Sequence, residues 1–222
     1  MGIIRLGPPE PLVLALRDSL GAPVFIETGT YRGGTAEWAC QQFADVQSIE
    51  WSEAIYRETK DRIGGLPNLT LHCGDTREIL PRLVQSLDRP AVMWLDAHWS
   101  GKATAGVDDQ CPLLEELAII DRAGTEVALL IDDARFFLAP PPEPLDVDDW
   151  PDLGTVVQTL AKGRERYVAV TEDVIVAVPM RHRDVVVAHC RALATMALTQ
   201  RRAFRRRLRK IGRKLFRRRQ DQ

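Results

Sequence analysis

Five carboxylates stand at or just past the ends of short apolar or β-branched runs: Glu27 after VFI, Glu50 after VQSI, Asp75 after LTLHCG, Asp96 after AVMWL and Asp132 after EVALLI. An acid in such a place can fix an ammonium group, accept from a ribose diol or an exocyclic amine, ligate a hard cation, or take a proton. Glu27 opens the stretch Glu27-Thr28-Gly29-Thr30-Tyr31-Arg32-Gly33-Gly34-Thr35. Gly29 and Gly33 let the backbone turn tightly and approach a ligand. A helix starting there would offer free N–H groups and a positive dipole end to a carboxylate or phosphate. By itself the stretch could equally be a plain tight turn. Glu50, followed by Trp51 and Ser52, comes 21 residues after Gly29. That spacing suits an acid on a ribose, and it also suits a charge at a helix start. Gly74-Asp75-Thr76 would accept from an adenine amine or cap the next helix.

The last two strand ends carry Asp96-Ala97-His98-Trp99 and Asp132-Asp133. Asp96, Asp132 and Asp133 are hard oxygen donors that would suit Mg²⁺. The competing role for Asp132 or Asp133 is to cap a loop or pair with Arg135. His98, two residues past Asp96, is either a general base for an acceptor hydroxyl or a hydrogen-bonded structural histidine. Residues 100–109 are small and polar with two glycines, which suits a mobile lid. Trp94, Trp99 and Trp150 gather at the same end, where aromatic faces suit a sugar, although core packing is the commoner use of a Trp. The Pro-rich segment 139–151 would form the other wall.

These residues need a scaffold that brings strand ends together. Strands are expected at 23–28, 46–50, 69–73, 91–96 and 126–132, with helices near 34–43, 52–63, 76–87, 112–122 and 152–162. Near-continuous apolar strands alternating with helices indicate a parallel sheet covered on both faces. The segment 167–179, YVAVTEDVIVAVP, reads as a hairpin turning at Thr171-Glu172-Asp173. The expected fold class is α/β, a Rossmann-like doubly wound sheet of seven strands, mostly parallel with a C-terminal antiparallel hairpin. Ligands of such sheets bind at the carboxyl ends of the strands, where all five acids lie.

This pattern resembles the class I S-adenosylmethionine-dependent methyltransferases over roughly residues 20–180. Glu27-x-Gly29-x-x-x-Gly33 is similar to the family's first motif, which wraps the methionine end of the cofactor. The resemblance implies that Glu27, Gly29, Thr30, Tyr31, Gly33 and Thr35 bind there. It places Glu50 and Trp51 at the ribose, Gly74, Asp75 and Thr76 at the adenine, and Asp96 beside the reacting methyl. Tyr31 departs from the pattern, standing where many members have a glycine. Asp96 with Asp132 and Asp133 resembles the metal ligands of metal-assisted O-methyltransferases, including bacterial macrocin-type sugar enzymes, and implies Mg²⁺. The stretch WLDAHWSGKATAG with CPLLEEL is also similar to a group of bacterial methyltransferase-like proteins. The implied activity is O-methylation of a hydroxyl on a sugar-containing or small-molecule acceptor, with His98 and Asp96 as catalytic residues. Two other readings stand beside it: an NAD(P)-dependent oxidoreductase on a Rossmann core, and a non-catalytic methyltransferase-fold module. The absence of G-x-G-x-x-G and the terminal hairpin count against the oxidoreductase.

At 222 residues with 45% hydrophobic content, the chain suits an ordinary globular protein. Its start lacks a secretory apolar region, no run reaches the ~18 apolar residues of a bilayer span, and four scattered cysteines make no C-x-x-C pair. The expectation is a cytoplasmic protein with a methyltransferase domain at 1–182 and a C-terminal helix and tail at 183–222. The net charge of −1 conceals twelve Arg and Lys without an acid in 201–219, which leaves 18 basic residues against 31 acids elsewhere. Within that tail Phe204, Leu208, Ile211 and Leu215 fall on one helical stripe, a pattern of basic helices on anionic membranes. The expected partners of the tail are, in order, a membrane surface (making the enzyme peripheral on the inner face), its own acidic body or a protein partner, then nucleic acid. Nucleic acid is disfavoured as substrate because the acidic strand ends would repel phosphates. A glycan or glycolipid acceptor would account for the tail. The oligomeric state is left open.

Overall fold

The computed structural model of the chain describes residues 7–99 and 109–220. It falls into two compact units, Met1–Val185 and Val186–Gln222. The first unit is a seven-stranded sheet in the order β3-β2-β1-β4-β5-β7-β6. Its strands are β1 (Val24–Thr28), β2 (Asp45–Glu50), β3 (Leu69–Cys73), β4 (Ala91–Leu95), β5 (Val127–Ile131), β6 (Arg166–Thr171) and β7 (Val174–Pro179). The first five run parallel, and β7 pairs antiparallel with both β5 and β6. The expected seven-stranded α/β sheet is therefore the fold. A two-residue turn joins β6 to β7, with Glu172 and Asp173 both at positive φ, the geometry that matches strand twist in a tight hairpin.

The interleaved helices are α1 (Glu10–Leu20), α2 (Gly34–Cys40), α3 (Glu53–Ile63), α4 (Thr76–Ser86), α5 (Leu113–Ile120), α6 (Ala134–Leu138) and α7 (Leu153–Ala161). Helix α8 (Arg183–Gln220) begins at the end of the first unit and makes up the second. Strands β1, β4 and β5 are buried at every position. Alternate residues explain why. Val24 and Ile26 join the cluster formed with Leu80, Leu117 and Leu160 of α4, α5 and α7. Phe25, pointing the other way, meets Trp38 of α2 edge-on at 6.2 Å and Phe43 at 5.1 Å. With both faces covered, a strand must be apolar throughout.

Two elements differ from expectation. Helix α1 was not expected, although Pro8-Pro9 before it, Gly21 at positive φ after it, and buried Leu12, Val13, Leu16 and Leu20 mark it out. The short α6, not expected either, follows Asp133, which was expected as a metal ligand or, alternatively, as a loop cap or partner of Arg135. The proposed lid at 100–109 lies, apart from Asp109, outside the described residues.

The sheet also fixes how closely two of its loops approach. Gly29 sits at φ +85°, and a Cβ there would lie 2.2 Å from the Asp96 carbonyl oxygen. No side chain fits that gap. Gly29→Ala is expected to destabilise the protein by on the order of 3 kcal/mol, from overpacking and positive φ together. Thermal unfolding should show this as a fall of roughly 10 °C; an unchanged melting temperature would mean the two loops do not touch.

Candidate functional site

Beyond the strand ends the backbone hydrogen bonding continues. Gly29 N–H and Thr30 N–H both donate to the Ile49 carbonyl (2.9 and 3.0 Å), and Asp96 N–H donates to the Thr28 carbonyl (3.1 Å). The loops after β1 and β4 are thus tied to the ends of strands β2 and β1. Tyr31 is the exceptional residue, a bulky side chain at φ +47°. It has a conformation that glycine would adopt at no steric cost. The surroundings enforce it: Tyr31 N–H donates to Glu50 Oε2 (2.8 Å), and its carbonyl accepts from Thr59 Oγ1 (2.7 Å). Glu50 Oε1 accepts from Ser52 N–H (2.8 Å), so one carboxylate ties the first loop to the second.

Above these loops opens a cavity of about 440 Å³. Glu27, Gly29, Thr30, Tyr31, Thr35 and Asp96 line it, all six expected from the sequence. Glu27 is buried, and Ser48 Oγ donates to its Oε2 (2.6 Å) while sharing a hydrogen bond with Thr30 Oγ1 (2.6 Å). Thr35 also bonds the Glu27 carboxyl. Burial outweighs these bonds and pushes Glu27 up to about 8. Burial likewise holds Asp96 well above the usual carboxylate range, reinforced by the charges of Asp132, Asp133 and Glu27. Among the described residues Glu10 adds a third carboxylate to the wall, and Arg32 is its one guanidinium. Such a lining favours a ligand bearing positive charge, because a nearby cation stabilises the ionised form that burial disfavours at Glu27 and Asp96.

Other expected residues lie elsewhere in the fold. Gly33 caps α2 at φ +70°, against Ile63 and Thr59. Trp51 is exposed. The Gly74 N–H donates to the Glu50 carbonyl (2.9 Å). Asp75 takes the capping role: it accepts from Arg77 N–H (2.8 Å) and pairs with the Arg77 guanidinium (2.6 Å). Thr76 is buried and bonds Glu116. His98 does not line the cavity. Its ring packs against Phe137 (5.6 Å) and Trp150 (5.0 Å), and burial pushes it down to about 4. An imidazole that remains neutral to such acidity is a weak proton acceptor, so the expectation of His98 as base gives way to a packed aromatic box. Trp150 lies buried in that box, so the Pro-rich segment contributes packing there.

The three-aspartate metal set does not form. Among the described residues no three His, Cys, Asp or Glu side chains are arranged to hold a metal ion. The geometry gives the reason. Asp133 Oδ1 pairs with Arg135 (2.8 Å), which also pairs with Asp173. Asp132 Oδ1 accepts from the Asp133 N–H (2.7 Å). An internal arginine discharges one expected ligand, and backbone occupies an oxygen of another.

Sequence reasoning missed several participants. Gly7, Pro8 and Glu10 line the cavity together with Arg32 and Trp38. Glu116 is buried in α5, bonded to Thr76 and Thr28, with Oε1 unpartnered among the described residues, and burial pushes it up to about 7. A signal existed: Glu116 shares the i, i+3, i+4, i+7 face of Leu113, Leu117 and Ile120.

No protein-family model matches this sequence, and no curated protein matches it. Solved structures do share its fold. The O-methyltransferase TomG of tomaymycin synthesis from Streptomyces achromogenes, in complex with S-adenosylmethionine, superposes with a TM-score of 0.55 at 16% identity, covering 79% of this chain and 82% of that one. An O-methyltransferase from Bacillus cereus in complex with S-adenosylhomocysteine gives 0.55 at 13% identity, covering 78% and 82%. An S-adenosylhomocysteine-bound methyltransferase from Podospora anserina gives 0.55 at 14%, covering 78% and 79%. The chain has the class I methyltransferase fold.

The buried acids make stability depend on pH. Glu27 at about 8, and Glu116 and Asp132 both at about 7, hold protons more tightly folded than unfolded. Their stabilisation is complete below the unfolded carboxylate range and is lost as pH rises through the folded values. Ligand-free protein should therefore melt at a lower temperature near pH 8 than near pH 5, by roughly 1.4 kcal/mol per proton and pH unit, with a shallower slope in Glu27→Gln. Stability rising over that range would contradict the assignment.

Proposed function

We propose that this chain is an S-adenosylmethionine-dependent methyltransferase that methylates a hydroxyl on a sugar-containing or small-molecule acceptor. The observation that carries the reading is the buried Glu27–Ser48–Thr30 network facing a cavity whose other wall is Asp96. The methionine end of S-adenosylmethionine bears an ammonium, a sulfonium and a carboxylate. Glu27 would take the ammonium, Arg32 the carboxylate, and Asp96 would face the sulfonium side. Glu50 would reach the ribose through a lone pair that its backbone donors leave open. The fold shared with solved O-methyltransferases supports the choice of reaction class.

The cofactor supplies an activated methyl group; the chain must hold an acceptor oxygen in line with it and receive a proton. Holding reactants in line can remove ~7–11 kcal/mol of a barrier. With His98 withdrawn into its aromatic box, Asp96 is the expected catalytic residue that lines the cavity. Burial and the neighbouring acids raise its proton affinity, and a carboxylate facing the acceptor would receive the hydroxyl proton once a bound cation has restored its ionised form. No step is assigned to a metal, since Asp132 and Asp133 are committed to backbone and Arg135. The four cysteines are free, which accords with our placing the protein in the reducing cytoplasm.

Calorimetric titration with S-adenosylhomocysteine tests the reading. Micromolar binding is expected, weakened roughly tenfold or more in Glu50→Ala and unaffected by a chelator. Absence of binding would overturn the proposal. Tight NADH binding that S-adenosylhomocysteine does not displace would replace it with the oxidoreductase reading. A binding enthalpy that changes when Mg²⁺ is added would restore the metal site.

A further inference from the structure

Helix α8 runs from Arg183 to Gln220, 38 residues, which at the helical rise is about 57 Å of continuous helix. The basic segment 201–219 is therefore helical nearly throughout, despite Gly212. Helical register places Phe204, Leu208, Ile211 and Leu215 on one line, and Leu193 and Ala197 extend that line towards the N-terminus. Of the other positions of 201–219, twelve are Arg or Lys, none is an acid, and the rest are Ala203, Gly212 and Phe216. Phe204 is 62% exposed. Among the described residues no helix is long and apolar enough to cross a membrane. What remains is a helix with a narrow apolar line set in a broad cationic face.

We infer that residues 201–219 of α8 form a docking surface for anionic phospholipid headgroups, with the helix lying in the plane of the membrane surface. The charge is complementary to acidic lipid, and each basic residue at such a surface strengthens binding roughly fivefold. The apolar line distinguishes lipid from other polyanions. Four apolar side chains contribute nothing to a phosphate backbone, whereas in an acyl boundary they are buried. The rest of the chain, with 18 basic residues against 31 acids, is repelled by the same surface, so the tail alone makes the contact. This inference does not depend on the methyltransferase reading.

The test is cosedimentation of the full chain with phosphatidylcholine vesicles, with and without phosphatidylglycerol. Two variants accompany it: Phe204→Gln/Leu208→Gln/Ile211→Gln/Leu215→Gln removes the apolar line, and Arg205→Gln/Arg206→Gln/Arg209→Gln/Lys210→Gln removes charge. The wild type should sediment with the anionic vesicles only, and each variant should lose roughly tenfold or more of that partition. Circular dichroism monitors the helix; should the fourfold apolar variant lose it, Phe204→Gln/Ile211→Gln replaces it. Failure of the wild type to bind anionic vesicles overturns the inference. Full binding by the apolar-line variant also overturns it, marking a contact made by charge alone, as with RNA.

Discussion

The site hangs on the Glu50 carboxylate. One oxygen holds the Tyr31 N–H, the other holds the Ser52 N–H, and the residue's own carbonyl takes the Gly74 N–H. Three loops, after β1, β2 and β3, are fixed relative to one another by a single residue at a strand end. The arrangement has a cost. Tyr31 is held in a left-handed conformation worth on the order of 1–3 kcal/mol of strain, and Glu50 is buried enough that its carboxyl is raised above the usual range. Both are tolerated because each supplies what the other lacks: a buried acid gains a donor, and a strained backbone gains a clamp.

Electrostatics then determine what the cavity receives. Glu27 is buried in β1 and Asp96 is half-buried just past the end of the neighbouring β4, and neither has an arginine or lysine partner within salt-bridge distance among the described residues. Where the fold needs a cation of its own, it has one: Arg135 pairs with Asp133 and Asp173 just beyond the site. Glu27 and Asp96 in the cavity carry no such internal partner among the described residues, whereas Asp133 and Asp173 at its margin do. Asp133, after β5, is thereby engaged within the chain.

Much of the scaffold was legible because its strands are buried on both faces, which leaves unbroken apolar runs that a sequence displays openly. The acid ending each run was legible for the same reason, since Glu27 and Asp96 stand out against VFI and AVMWL. The role of each acid was harder to read. Asp75 could cap a helix or meet an adenine with the same residue at the same spacing, and the fold shows the cap, with the Arg77 N–H and guanidinium on its carboxylate. His98 looked like a base because it follows Asp96, yet its environment comes from Phe137 and Trp150, 39 and 52 residues further along the chain. Helix α1, which carries Glu10 to the cavity, announced itself through Pro8-Pro9 and Gly21 without being recognised. Glu116 illustrates the limit: an acid on an apolar helix face is visible, but its partners Thr28 and Thr76 are not.

The central claim is that buried Glu27 receives the ammonium of S-adenosylmethionine or its demethylated product. Glu27 holds a proton up to about 8 and must lose it when it pairs with a cation, so binding near neutrality must expel that proton. Calorimetry of S-adenosylhomocysteine binding at pH 7, repeated in buffers of different ionisation enthalpy, counts protons directly. The account predicts release of about one proton per ligand bound, abolished in Glu27→Gln. Binding without proton release in the wild type would contradict it.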